Sequence, residues 1–300
     1  MSVLSEFINS YFLWRDPMVV GMVSGSICGF LGVYVVLKRI VFVSAMLTQI
    51  SSLGVVLAFY LQGFSTLFFL TDPSLLSLFL TCAAVLIFSL RERFLYISQE
   101  SVIGWGYILA SGLVIVIGDR ITQGSHDVAS VLFGTAVVVE RHETITVTIT
   151  AVVFFLIHWF LFKDFIFVSF DPELARLFRY PVRGLNAILF LSIGVVVAIT
   201  TRALGALPVF ALLVLPPVFA LLVTDRLKLL FVISPFAGLL SAALGYFLSF
   251  VLSLPTGASI ALVAVFFYGF RGYMPPFWSF IITWGFYMSA LFSKITLIRL

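Results

Sequence analysis

Four hydroxyl side chains share one helical face inside an otherwise apolar stretch. Ser44, Thr48, Ser51 and Ser52 follow the spacing i, i+4, i+7, i+8, and Gln49 lies beside them. Polar groups in an apolar run are costly to bury, so such a face has one of two jobs. It lines a path for a polar solute, or it hydrogen-bonds neighbouring helices together. The residue types allow both. Pro216-Pro217 is the second candidate for a path, because it interrupts another apolar run. Proline lacks the backbone donor and frees the carbonyl one turn upstream. Irregular backbone deep in an apolar medium is tolerated where it is buried or lines a cavity.

A third feature suits docking. Asp171-Pro172-Glu173-Leu174-Ala175-Arg176-Leu177-Phe178 starts like a helix, with Asp as cap and Pro at the first turn, and Pro181 is expected to end it. A short charged helix between apolar runs either connects them in water or docks into a soluble partner. The remaining candidates are weaker. His158 lies among Phe and Trp residues and reads as a hydrogen-bonded packing residue rather than a ligand. Glu140, Arg141, His142 and Glu143 read as an ordinary solvated loop rather than a cation or partner site. Cys28 and Cys82 both sit in apolar runs, far from other thiols, and read as small buried hydrophobes. Catalytic carboxylate pairs, Ser-His-Asp sets and His-Glu-x-x-His patterns are absent from the apolar spans, and no phosphate-binding glycine loop is present. The chain is therefore not expected to be an enzyme or to hydrolyse ATP itself.

The elements that carry these residues follow from composition. Of 300 residues, 62% are hydrophobic and only 10% are charged. A soluble domain carries roughly 25% charged residues. Soluble enzymes and disordered proteins are excluded, and the net charge of +4 lacks the basic clusters that track nucleic acid. The expected fold is all-α, a polytopic transmembrane helical bundle of about 8–10 spans. The apolar runs fall near 17–37, 42–62, 74–90, 101–118, 144–162, 185–201, 204–223, 229–252 and 257–270. A tenth stretch, 276–293, either spans or lies at the surface, and 128–139 is too short to span comfortably. Residues 1–16 lack the features of a cleaved leader. Leu4, Phe7, Ile8, Tyr11 and Phe12 suggest an interfacial helix instead. The parts are thus 1–16 interfacial, 17–270 the transmembrane domain and 271–300 an apolar extension.

Basic residues orient the bundle. Lys38, Arg39, Arg91, Arg93, Lys163, Arg176, Arg179, Arg183, Arg226 and Lys228 fall in odd-numbered loops, but only Arg120, Arg141 and Arg202 in even ones. The positive-inside rule puts the odd loops, including 163–184, in the cytoplasm. Gly21, Gly25 and Gly29 repeat at every fourth position, as do the pairs Gly238/Ala242 and Ser241/Gly245, which marks close helix packing.

Several segments now match a family in order and spacing. Gly205–Leu222, with Ala211-Leu212-Leu213-Val214-Leu215-Pro216-Pro217 and Ala220, is similar to a "G-x-L-L-V-x-A-L-L-V-x-P-x-x-x-A" pattern, with Pro208 at the second Leu. Ser253-Leu254-Pro255-Thr256-Gly257-Ala258 is similar to "D-x-P-T-G-P", and Phe170–Ala175 to "F-D-P-E-x-A". Gly32–Arg39 and Leu132-Phe133-Gly134 also fit. The chain resembles the permease subunits of bacterial ABC importers for divalent metals, the zinc, manganese and iron group.

The resemblance implies a multi-pass protein of the bacterial inner (cytoplasmic) membrane that carries a divalent metal by alternating access. It implies cytoplasmic ATPase subunits that hold the ATP, an extracytoplasmic metal-binding protein, a second permease and surrounding lipid. No cofactor is expected on this chain. Asp171, Glu173, Leu174, Ala175, Arg176 and Phe178 would contact the ATPase. Ser44, Thr48, Gln49, Ser52 and Pro216 would line the path. Two departures stand out. The family's "G-D-x-x-x-H" offers metal ligands four residues apart, but Ser44, Ala45 and Gln49 occupy its Gly, Asp and His positions. Arg179 stands where a glycine is expected. The reading adopted is a heterodimer whose other permease supplies the ligands, and the alternative is an ABC permease for a non-metal substrate. Two rivals from other classes are an ion-coupled secondary transporter, which would need buried carboxylates, and an assembly protein without transport.

Overall fold

The computed structural model describes residues 11–63, 71–90, 99–121, 139 and 141–273. The expectations for 1–10, 128–138, 276–293, Leu132-Phe133-Gly134, Glu140 and the two arginines at 91 and 93 lie outside the described residues. Eleven helices are described: α1 Tyr11–Leu37, α2 Val41–Leu61, α3 Pro73–Leu90, α4 Gln99–Asp119, α5 Arg141–Phe160, α6 Phe162–Phe170, α7 Pro172–Leu177, α8 Val182–Leu204, α9 Ala206–Val223, α10 Leu227–Leu252 and α11 Thr256–Tyr273. Seven of them are long and apolar enough to cross a membrane, and α3 and α11 hold shorter apolar stretches.

Three boundaries differ from the expectations. Residues 11–16 are not a separate interfacial helix but the first turns of α1, which runs through Pro17. At about 1.5 Å per residue its 27 residues reach about 40 Å, more than a hydrocarbon core of about 30 Å, so one end of α1 stands in the interface. The stretch 163–184 is not a loop with one helix. It holds α6, α7 and the start of α8. Pro181 does not end α7. That helix stops at Leu177, and Pro181 caps the start of α8.

Lipid gives helices no hydrophobic reason to associate, so close backbone packing must hold the bundle. The glycine stripes supply it. A Cβ on Gly25 would lie 2.4 Å from the Gly238 carbonyl oxygen, and one on Gly238 would lie 2.1 Å from that of Gly25. One turn on, Ser234 Oγ donates to the Gly29 carbonyl at 2.6 Å. α1 and α10 therefore touch backbone to backbone. Gly32 meets α9 in the same way: a Cβ there would lie 2.1 Å from the Leu213 carbonyl oxygen. Leu213 is four residues before Pro217, so this is a carbonyl that the proline leaves without a helical donor. Gly54 seats α2 on Ser77 of α3, and Gly245 seats α10 on Ile260 of α11.

α8 and α9 are joined by one residue. Gly205 has φ 92° and ψ 163°, a conformation essentially reserved for glycine. Three helices end on left-handed residues that are not glycine: Arg39 (φ 58°), Arg179 (φ 60°) and Ser253 (φ 53°). At Arg179 the amide donates to the Arg176 carbonyl and that of Tyr180 to the Ala175 carbonyl, each at 3.0 Å. Arg39 and Ile40 repeat this on Val36 and Val35. These paired bonds satisfy the last carbonyls of α7 and α1.

Candidate functional site

The hydroxyl face of α2 points into the bundle: Ser44, Thr48, Ser51 and Ser52 are all buried. Their hydrogen bonds divide them. Ser44 Oγ donates to the Val41 carbonyl at 2.6 Å and Thr48 Oγ1 to the Ala45 carbonyl at 2.9 Å, so both are satisfied within their own helix. Ser51 Oγ pairs with Ser77 Oγ of α3 at 2.9 Å, the interhelical bond that was the alternative reading of this face. Ser52 Oγ and Gln49 Oε1 are buried without a partner. A buried acceptor without a donor costs about 1–3 kcal/mol, and on this face these are the two atoms left able to bond something from outside the helix. Ala45 adds no donor atom. Pro216 is buried in α9, which packs against α2, and its ring carries no polar atom to add to the hydroxyl face. Among the described residues, no group of three or more His, Cys, Asp or Glu could hold a metal ion.

At one end of the bundle, α7 stands exposed. Asp171 caps it by accepting the Leu174 amide at 2.8 Å, and Pro172 occupies the first turn. Ala175 is fully buried and anchors the helix, while Glu173, Leu174, Arg176 and Phe178 face outward. Leu177 is 79% exposed and Phe178 67%. Phe167 of α6 packs against Phe178 and, edge to face, against Tyr180, so the apolar crest of α7 is supported from behind. Nearby, Lys38 Nζ donates to Asn186 Oδ1 at 2.7 Å. Its burial holds the ammonium down to about 8.

The other end holds a cluster that sequence reasoning missed. Arg202 is in the last turn of α8 and Glu143 in the first turn of α5. Arg202 Nε meets Glu143 Oε1 at 3.0 Å, and its Nη1 lies 3.8 Å from Asp72 Oδ1. The same nitrogen donates to Ser74 Oγ. Asp72 in turn accepts the amides of Ser74 at 2.8 Å and Leu75 at 3.2 Å, capping α3. The solvated-loop reading of Glu143 is therefore overturned: its carboxylate is largely shielded and paired. The signal was present as acids at two helix starts and a base at a helix end, each favoured by the helix dipole. The partner was not readable, because 59 residues separate Glu143 from Arg202.

His158 is completely buried near the end of α5. Its Nδ1 lies 2.9 Å from the Phe154 carbonyl, its Nε2 3.3 Å from Ser192 Oγ of α8, and its ring stacks on Phe165 at 4.7 Å.

The chain is 28% identical over 270 residues to the manganese transport system membrane protein MntC of Halalkalibacterium halodurans, covering 88% of this chain and 89% of that one. It is 28% identical over 261 residues to the chelated iron transport system membrane protein YfeC of Yersinia pestis, covering 86% and 84%. Its fold matches PsaBC from Streptococcus pneumoniae, solved in complex with Fab, at a TM-score of 0.80 and 21% identity over 93% of this chain and 99% of that chain. The ABC 3 transport family model matches residues 10–271, and the chain, a multi-pass helical membrane protein, belongs to that family.

Proposed function

We propose that this chain is the membrane permease of an ABC importer for a divalent metal ion such as manganese or iron. The family match over residues 10–271, together with relatives named for manganese and chelated iron transport, carries the reading. The membrane is the bacterial cytoplasmic membrane. α7 lies on its cytoplasmic side, beside Lys163, Arg176, Arg179 and Arg183. There the crest of Leu174, Leu177 and Phe178, seated on Ala175, receives a partner ATPase that holds the ATP. Asp171 shapes the helix, and Glu173 and Arg176 set its charge pattern. The opposite end, with Arg202, faces the extracytoplasmic metal-binding protein.

The cargo path runs along α2, with Gln49 Oε1 and Ser52 Oγ as its free polar atoms. A neutral amide and a hydroxyl are weak ligands for Zn²⁺ or Mn²⁺ beside an imidazole or a carboxylate. The metal ligands therefore come from a second, different permease, and this chain lines the other half of the path. Those same unpartnered atoms favour one further reading, a neutral polar cargo taken by two copies of this chain. Co-purification with an ATPase, followed by metal uptake into vesicles, separates the two. Uptake requires the second permease on the first reading. Metal uptake with this chain as the only permease would overturn the heterodimer.

A further inference from the structure

We propose that Arg202 is a latch that holds the end of α5 against α3 and α8, and that its release swings α5 away from the bundle. Three observations carry this. First, α5 is a peripheral helix: only 17% of its apolar window is buried, against 72% for α1. Second, two polar pins tie α5 to α8. One is Glu143 to Arg202 at 3.0 Å, and the other is His158 to Ser192 at 3.3 Å. They sit near opposite ends of α5, 15 residues or about 22 Å apart along its axis. Third, the seam between α5 and α1 is only partly filled. Phe155 packs on Phe30, but an open groove of about 350 Å³ lined by Val152 and Leu156 of α5 and by Val19, Val23 and Ile27 of α1 runs beside that contact.

A helix held near both ends, on an incompletely filled seam, is built to pivot rather than to slide. The two pins are unequal. His158 is completely buried and stacked on Phe165, so it is the pivot. Arg202 and Glu143 keep 26% and 18% side-chain exposure, so water can replace their contact, and they are the end that opens. Asp72 and Ser74 hold the guanidinium on α3 when Glu143 leaves, which avoids stranding the charge. α6 and α7 follow α5 beyond the His158 pivot, so they keep their place while the outer end of α5 swings. The latch does not depend on what the cargo is.

Accessibility tests it without transport. Val147 lies one turn below Glu143, is 2% exposed, and lines the small cleft under the latch. The full chain carrying Val147→Cys is placed in nanodiscs and treated with a charged thiol reagent, with the parent chain giving the background from Cys28 and Cys82. Glu143→Gln and Arg202→Gln should each raise the labelling rate about tenfold, the factor for one lost charge-assisted contact. Arg202→Lys, which keeps the charge, should fall between them and the parent. Ile260→Cys, buried between α10 and α11, should label at an unchanged rate. Parent-like labelling of Val147→Cys in both Gln variants overturns the latch. So does equal acceleration at Ile260→Cys, which would mean general loosening.

Discussion

Asp-Pro opens a helix at each end of this molecule, and the two copies have different surroundings. Asp72-Pro73 starts α3 and Asp171-Pro172 starts α7, and both aspartates cap the amides that follow. At the first, Arg202 reaches the carboxylate and adds Glu143 and Ser74, so both carboxylates find a partner within the chain. At the second, the helix projects a crest of Leu174, Leu177 and Phe178 into solvent. The same local code thus builds a closed end and an open one. What differs is the side chain brought from elsewhere. A protein that pairs its charges at one end and leaves apolar surface at the other offers a partner more apolar area at the open end.

Substitutions at the two ends should separate by readout. Leu177→Asp should reduce capture of the ATPase by at least about tenfold while shifting stability within about 0.5 kcal/mol, because an exposed side chain contributes little to the fold. Pull-down and thermal unfolding of the same preparation check both. Arg202→Gln should do the reverse, lowering stability by about 1–2 kcal/mol and leaving capture unchanged, since the loss strands two part-buried carboxylates. Loss of ATPase capture on changing Arg202 would erase the distinction between the ends.

A smaller gain is expected from Arg179→Gly. The left-handed backbone there (φ 60°) is strained for arginine, and glycine should add about 0.5–1 kcal/mol of stability, read as a raised melting temperature. A separate effect, read through pH, is that of Lys38. Its folded value of about 8 lies below the ordinary 10.5, so the folded chain binds fewer protons in between. Stability should therefore rise as pH increases from about 8 to 10.5, and Lys38→Met should flatten that rise in a melting-temperature series.

Much of the bundle was legible because a span needs about 20 apolar residues, and little else produces such runs. The expected 204–223 and 229–252 fall within two residues of α9 and α10. The glycine stripes were legible for the same kind of reason, since few positions besides a close helix contact call for a glycine every fourth residue. α6 was missed because Lys163 and Asp164 interrupt its apolar pattern, which made a helix look like loop. The division of the α2 face was not legible at all. Ser44 and Ser52 are the same residue type on the same face, yet one bonds its own backbone and the other has no partner. That depends on where neighbouring helices lie. The Arg202 cluster was hidden by distance along the chain, although each of its members sat at a readable helix end.

Gly205 has a mechanical consequence. With one residue between α8 and α9, there is no slack to absorb a change of tilt in either. Ordinary connections of several residues act as hinges with many joints, but here a single backbone position must take up any rotation. The Gly205 amide donates to the Thr201 carbonyl at 2.8 Å, which ties that position to the last turn of α8. α8, which carries Arg202 and Ser192, and α9, which carries Pro216, therefore behave as one bent lever. A push on Val182 where α7 meets α8 is delivered, with its direction changed, beside the prolines at membrane depth.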